Sequence, residues 1–303
     1  MTSEDPRISE AVEDIYLIDT GMYDARRYGG VYILDSEQPA IIETGLGTKY
    51  HRILAGLEEL DIAPEEIDTI AVTHVHLDHA GGAGYLAKDC PNATVVVHER
   101  GAQHLVTPDR LVAGTKAAVG EQWTYYVDPV SIPEARIRAV TEGESIDLGD
   151  RQLAVIEAPG HAQHQVVYHD PVADAVFTGD AAGIWIPSES RVSQTTPPPE
   201  FALAQAIADV DRIEDIGAAT LLFTHFGPAQ ATAELFSTYR TSLKNWIETV
   251  ERAKAALGDD KAVIAQCVED AAIIDEWGVE KSHAETRLNV KGALTYLKSR
   301  GEN

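Results

Sequence analysis

"TIAVTHVHLDHAGG", residues 69–82, places His74, His76, Asp78 and His79 between an apolar run and a glycine pair. "IDTIAVTH" reads as a buried strand and "GGAGYLAKD" as the helix that follows it. His74 and His76 are two positions apart, so their side chains leave an extended chain on one side. Asp78 and His79 come where the chain bends into the helix and reach the same space from another direction. A single histidine there would more often cap or fill the turn. Four N and O donors at the C-terminal end of a strand, where open α/β sheets put their sites, point instead to a bound Zn, Mn or Fe(II) ion.

Around this motif the chain alternates strands and helices. "DIYLID", "GVYILD" and "AIIETG" are short strands separated by turn-forming stretches, and "TKYHRILAGLEEL" has apolar residues at helical spacing. "ATVVVHE" is the strand after the motif, which completes a βαβ unit and implies parallel pairing. A second round follows: two strands about Gly149-Asp150, two more about His169 to Asp174, a helix in "PPPEFALAQAIADVDRIEDI" opened by its prolines, and the strand "AATLLFTHFG". From about residue 229 the pattern is helical, in "AQATAELFSTYRTSLKNWIETVERAKAAL", "KAVIAQCVEDAA" and "HAETRLNVKGALTYLKSR". This predicts an α/β body with a helical C-terminal extension.

Composition narrows the setting. A chain of 303 residues with 44% hydrophobic content can bury a sizeable core without disulfides, and Cys90 and Cys267 make neither a disulfide framework nor a CxxC metal site. The opening "MTSEDPRISEAVED" is acidic, unlike a signal peptide, and no apolar run is long enough to span a bilayer. A cytoplasmic protein without a membrane partner is the expectation. Asp and Glu total 49 against 24 Lys and Arg, a formal net charge of −25. Such a surface stays hydrated in concentrated salt, as in halophiles, and it opposes approach of a nucleic-acid backbone.

Three further strand ends carry matching donors: His161 in "EAPGHAQH", Asp180 in "AVFTGDAAG" and His225 in "LLFTHFGP". Each is weak alone, but with the first motif they make five His and two Asp. In this order the chain resembles the metallo-β-lactamase superfamily over residues 74–225, and its strand pattern extends the match to about residues 8–230. The resemblance implies an αβ/βα sandwich of two facing sheets with helices outside and a dinuclear metal site at one edge. It divides the chain into a fold domain, 1–230, and a helical extension, 231–303. It assigns His74, His76 and His161 to one metal, Asp78, His79 and His225 to the second, and Asp180 to both. The cofactors would be two divalent ions, Zn2+ foremost, with Mn2+ or Fe2+ as alternatives.

Within the superfamily the chain is most similar to the glyoxalase II and acyl-homoserine-lactone lactonase type. That implies hydrolysis of a lactone, ester or thioester by a hydroxide held between the metals, with Asp78 orienting it and passing a proton to the leaving group. A small-molecule substrate is expected, with a homodimer as one use of the C-terminal helices and a cap over the cleft as another. Three other readings stand beside it: an iron sulfur dioxygenase, a tRNase Z-like phosphodiesterase, and a binding protein on the same fold. Two departures are local. Glu43 stands where the family commonly has Asp, and His164 is an extra imidazole read as a partly exposed turn residue. Trp185 and Ile186 are either a substrate wall or core, and Trp123, Tyr125 and Tyr126 are left outside the site as packing.

Overall fold

The computed structural model describes residues 7–301, so the first six residues of the acidic opening lie outside the described residues. The chain forms β1 (Arg7–Val12), β2 (Ile15–Asp19), β3 (Gly30–Leu34), β4 (Ala40–Ile42), α1 (Tyr50–Glu59), β5 (Thr69–Ala71), α2 (Leu77–Ala80), α3 (Ala83–Asp89) and β6 (Thr94–His98). Next come α4 (Glu99–Val106), α5 (Asp109–Val119), β7 (Ile137–Val140), β8 (Ser145–Asp147), β9 (Gln152–Glu157), β10 (Val166–Asp170) and β11 (Ala175–Gly179). The remainder is β12 (Ile184–Ile186), β13 (Arg191–Ser193), α6 (Leu203–Ile216), β14 (Thr220–Phe223), β15 (Gly227–Gln230), α7 (Ala233–Leu257), α8 (Asp260–Glu269) and α9 (Gly278–Gly301).

The two rounds of the sequence pattern become two sheets. One has seven strands in the order β1-β2-β3-β4-β5-β6-β7 and the other six in the order β15-β14-β11-β10-β9-β8, with β12 and β13 a separate hairpin. The βαβ expectation holds, since β4, β5, β6 and β7 pair in parallel, while β1 to β4 pair antiparallel. Strand alternation then builds three apolar layers. In β2 and β3, Leu17, Tyr32 and Leu34 face the second sheet, whose Val155, Val166, Tyr168 and Phe177 meet them. Ile18, Val31 and Ile33 face the other way, onto Ile53 and Leu57 of α1. Outside the second sheet, Val176, Leu221 and Phe223 pack with Val210 of α6, Leu243 of α7 and Val290 of α9. Truncating such a residue to Ala typically costs about 2–5 kcal/mol. Two tyrosines also bind sheet to sheet, Tyr32 donating to the Phe223 carbonyl at 2.6 Å and Tyr168 to the Val72 carbonyl at 2.8 Å.

The αβ/βα sandwich and the helical extension are therefore both present, and the extension shares the outer core of the second sheet. Several details depart from the sequence reading. The prolines do not open α6, because Pro197 to Pro199 precede an extended N-cap, Ala202, and the helix starts at Leu203. Residues 109–119, not read as a helix from the sequence, form α5, none of whose residues is buried. Edge strands β1, β7 and β15 were not legible as strands, nor was the hairpin in 183–201.

Candidate metal centre

All seven candidate residues stand at strand ends on one edge of the sandwich. β5 stops at Ala71, and the chain runs through Thr73 and His74 to His76, which N-caps the single turn α2 carrying Asp78 and His79. Thr44, just beyond β4, clamps that turn, its N–H and hydroxyl both donating to the His79 carbonyl at 2.8 and 2.7 Å. The following glycine pair allows this approach: a Cβ on Gly82 would lie 2.4 Å from the Thr44 carbonyl oxygen. The second sheet supplies His161 in the turn after β9, Asp180 directly after β11 and His225 after β14.

The donor atoms converge. His76 Nδ1 lies 2.9 Å from His74 Nε2 and 3.2 Å from His161 Nε2. His225 Nε2 lies 3.8 Å from Asp78 Oδ2. Asp180 reaches both groups, with Oδ2 at 3.2 Å from His161 Nε2 and Oδ1 at 3.4 and 3.6 Å from His79 Nε2 and His225 Nε2. His74–His76–His161, His74–His79–Asp180 and Asp78–His79–His225 each bring their donor atoms within 4.8 Å of one another.

Hydrogen bonds on the far side of the rings fix which nitrogen faces inward. His79 Nδ1–H donates to Glu43 Oε1 at 3.1 Å and His225 Nδ1–H to the Tyr28 carbonyl at 2.7 Å. Thr73 Oγ1 gives its proton to Glu43 at 2.5 Å, so it accepts at 3.0 Å from His74 Nδ1–H. All three Nε2 atoms are thereby turned unprotonated into the cluster, the ligand form of imidazole. His79 Nε2 and Asp180 Oδ1 are buried with no hydrogen-bond partner. Buried polar atoms left so cost about 1–3 kcal/mol each, and a divalent cation is a partner that satisfies lone pairs of both types at once. The residues present fit such an ion.

The local field favours the neutral ring at His74 and His161 but not at His79. Burial, reinforced by neighbouring imidazoles, holds His74 well below the usual histidine range, and burial pushes His161 down to about 3 despite the pull of Asp180. Burial raises Asp180, but the imidazoles of His79, His161 and His225 outweigh it and hold the carboxyl well below its ordinary range. His79 runs the other way, because Asp180 and Glu43 outweigh its burial.

The glutamate that departs from the family pattern is the hub of this arrangement. Glu43 is fully buried and accepts from Thr73 N–H, the Thr73 hydroxyl, His79 and the Thr224 hydroxyl, so it ties three donor-bearing segments together. Above the cluster lies a cavity of about 260 Å³ whose walls include Tyr23, Tyr28, Tyr126, His164, Lys281 and Glu285. Tyr126, left out on sequence grounds, shares a hydrogen bond with the Tyr23 hydroxyl. Lys281 lies 4.1 and 3.9 Å above the Tyr23 and Tyr28 rings and pairs with Glu285 at 2.8 Å. His164 is half-buried, its Nδ1 accepting at 3.4 Å from Val75 N–H beside the cluster. Trp185 and Ile186 resolve as packing: Trp185 stacks on Phe223, and Ile186 is fully buried. Cys90 and Cys267 are buried in the outer cores, away from the cluster.

Two facing sheets, outer helices and a strand-end cluster of this order define a metal-site fold class, and the chain belongs to the metallo-beta-lactamase superfamily. The family's sequence model matches residues 26–225. Among curated relatives, acyl-coenzyme A thioesterase MBLAC2 of Homo sapiens is 28% identical over 189 residues, covering 55% of this chain and 63% of that protein. Hydroxyacylglutathione hydrolase of Ruegeria pomeroyi is 28% identical over 123 residues, covering 41% and 37%. The chain thus spans less than two thirds of either. Among solved structures, the archaeal superfamily protein ST1585 from Sulfolobus tokodaii superposes with a TM-score of 0.71 at 22% identity, covering 92% of this chain and 98% of that one. The family protein TTHA1429 from Thermus thermophilus gives a TM-score of 0.65 at 21% identity, covering 90% and 89%. No helix among the described residues is long and apolar enough to cross a membrane.

Proposed function

We propose that this protein is a dinuclear metal-dependent hydrolase of small-molecule esters, lactones or thioesters, with thioesters foremost. The observation that carries this is the pair of donor triads joined through Asp180 beneath an open cavity. In this reading His74, His76 and His161 hold one ion, Asp78, His79 and His225 hold the other, and Asp180 lies between them. Bound divalent ions, Zn2+ foremost, supply Lewis-acid polarisation of a carbonyl and a water acidic enough to attack near neutral pH. The names of relatives support thioester chemistry, one an acyl-coenzyme A thioesterase and one a hydroxyacylglutathione hydrolase.

The chain's own residues do the rest. Burial raises Asp78, but His79 and His225 outweigh it, so its carboxylate is ionised and can take up a proton. It is also open to the cavity, where it can pass that proton to the leaving oxygen or sulfur. Burial pushes Tyr23 and Tyr126 well above the usual phenol range, so both remain hydrogen-bond donors along the wall. The reading includes a cytoplasmic, salt-adapted enzyme and a division of the chain near residue 230.

Elemental analysis of protein purified without chelator, followed by thioester, ester and lactone panels, tests it. We expect about two equivalents of Zn or Mn and turnover of at least one panel. One equivalent of Fe with oxygen uptake, or two equivalents with no hydrolysis, overturns it.

A further inference from the structure

Helix α9 runs a single stripe of side chains out of the site cavity. Lys281, Glu285 and Leu288 line the cavity over the cluster, and Lys291, Leu294 and Lys298 line a second groove of about 470 Å³. The two spaces share Gly114 and Ala118 of α5 and the Pro198-Pro199 segment, so they form one trough. At the helical rise, Lys291 and Lys298 stand about 9 and 20 Å from Glu285 along the helix axis. The opposite wall, α5, is built there from Gly114, Ala117 and Ala118, small residues that leave the trough open.

In the outer groove the charge is opposite to that of the molecule, with Lys291 and Lys298 against Asp260, whereas the cavity end carries Asp78, Asp180, Glu200 and Glu285 against Arg110 and Lys281. Lys291 makes no ion pair among the described residues and donates only to the Ala118 carbonyl, at 2.8 Å. Burial and the neighbouring Arg287 both push the Lys291 ammonium below its usual range. Further out, the single carboxylate of Asp260 serves both Lys254 and Lys298, at 2.7 and 2.6 Å, and so leaves excess positive charge. On a chain of net charge −25, this is a place where an anion is drawn rather than repelled. A hydrocarbon chain in the same groove would cover lysine ammonium groups without pairing them, whereas phosphate oxygens would accept charge-assisted hydrogen bonds.

We propose that the trough between α5 and α9 holds the phosphorylated arm of a thioester's thiol carrier, with Lys291 and Lys298 as its phosphate contacts. This rests on the hydrolase reading and names the leaving-group side of its substrate. An arm laid along α9 leaves the thioester over the metal cluster and directs the anionic end toward Lys291 and Lys298.

The test compares two hexanoyl thioesters, of coenzyme A and of N-acetylcysteamine, which carry the same acyl group but differ in the phosphorylated arm. In the unaltered protein kcat/KM for the coenzyme A thioester exceeds that for the truncated one by about 10²-fold, roughly tenfold for each of two charge-assisted contacts. Lys298→Gln and Lys291→Gln each lower that ratio by about tenfold. Lys298 is exposed, so the first variant does not challenge folding. Equal kcat/KM for the two thioesters, or variants that slow both alike, overturns the trough while leaving the hydrolase in place. Calorimetry with the S-ethyl thioether of coenzyme A gives a readout independent of turnover. Binding that weakens in both variants supports the trough even if no thioester is hydrolysed, in which case the hydrolase reading falls alone. Absence of thioether binding overturns the trough.

Discussion

Replacing Glu43 with Gln probes how much of the site is held from behind. The carboxylate accepts at Oε1 from the Thr73 hydroxyl (2.5 Å), His79 Nδ1–H (3.1 Å) and the Thr224 hydroxyl (3.1 Å), and at Oε2 from Thr73 N–H (3.3 Å). A glutamine amide keeps one acceptor. Its better orientation turns the oxygen to the three side-chain donors and the NH2 against Thr73 N–H, leaving that buried amide unsatisfied at about 1–3 kcal/mol. The other three bonds lose charge assistance, adding about 1 kcal/mol. The expected cost is about 2–4 kcal/mol, a large part of a typical 5–15 kcal/mol but short of unfolding. His79 also loses the carboxylate that orients its ring, which for a metal-bound histidine lowers affinity about 10–100-fold. Urea unfolding in the presence of chelator measures the first effect, and titration against a competing chelator measures the second. A variant within about 0.5 kcal/mol of the unaltered protein and with unchanged metal affinity would falsify the hub role of Glu43.

Asp78→Ala should abolish hydrolysis and lower metal content by about one equivalent while the chain stays folded, since the side chain is partly open to the cavity; unchanged turnover rules out its role. The chelated protein should lose stability as pH falls below about 6.5, the ordinary histidine value, because unfolded His74, His76 and His161 take up protons there and their buried, lowered counterparts do not. Raised His79 opposes this, its stabilisation being complete below 6.5 and lost as pH rises through its folded value, but the lowered histidines outnumber it, His51 and His164 among them. Thermal melts from pH 8 to 5 that stay flat contradict that balance. His164→Ala removes only a weak acceptor for Val75 N–H, so metal content should hold and kcat/KM should fall by less than about tenfold; a loss matching that of His161→Ala shows a larger role. With a net charge of −25 the fold should persist in molar salt, checked by circular dichroism, and unfolding on salt addition contradicts the salt-adapted reading.

The donors were legible because each announces itself locally, four in one motif and three as polar residues closing apolar runs. What surrounds them was not. Lys281 and Glu285 enter the cavity from a helix that follows the last donor by more than fifty residues, and no local pattern distinguishes them from an ordinary helical ion pair. Tyr126 looked like packing because its partner, Tyr23, is about a hundred residues away. β7 was missed because its central Arg138 and Ala139 are exposed, giving too little alternation to read as a strand. Glu43 was visible as a departure, but its meaning depended on Thr73 and Thr224, which only folding brings to it.

The donor set is shared between the two sheets. His74, His76, Asp78 and His79 follow the first sheet's β5, while His161, Asp180 and His225 belong to the second. A break in the exposed turn at residues 142–144 would separate four donors from three, and each proposed metal draws on both sides of it. Neither fragment could assemble either site alone. The metal would then serve as an assembly signal, binding only when the two halves have found each other and making their reunion depend on its concentration.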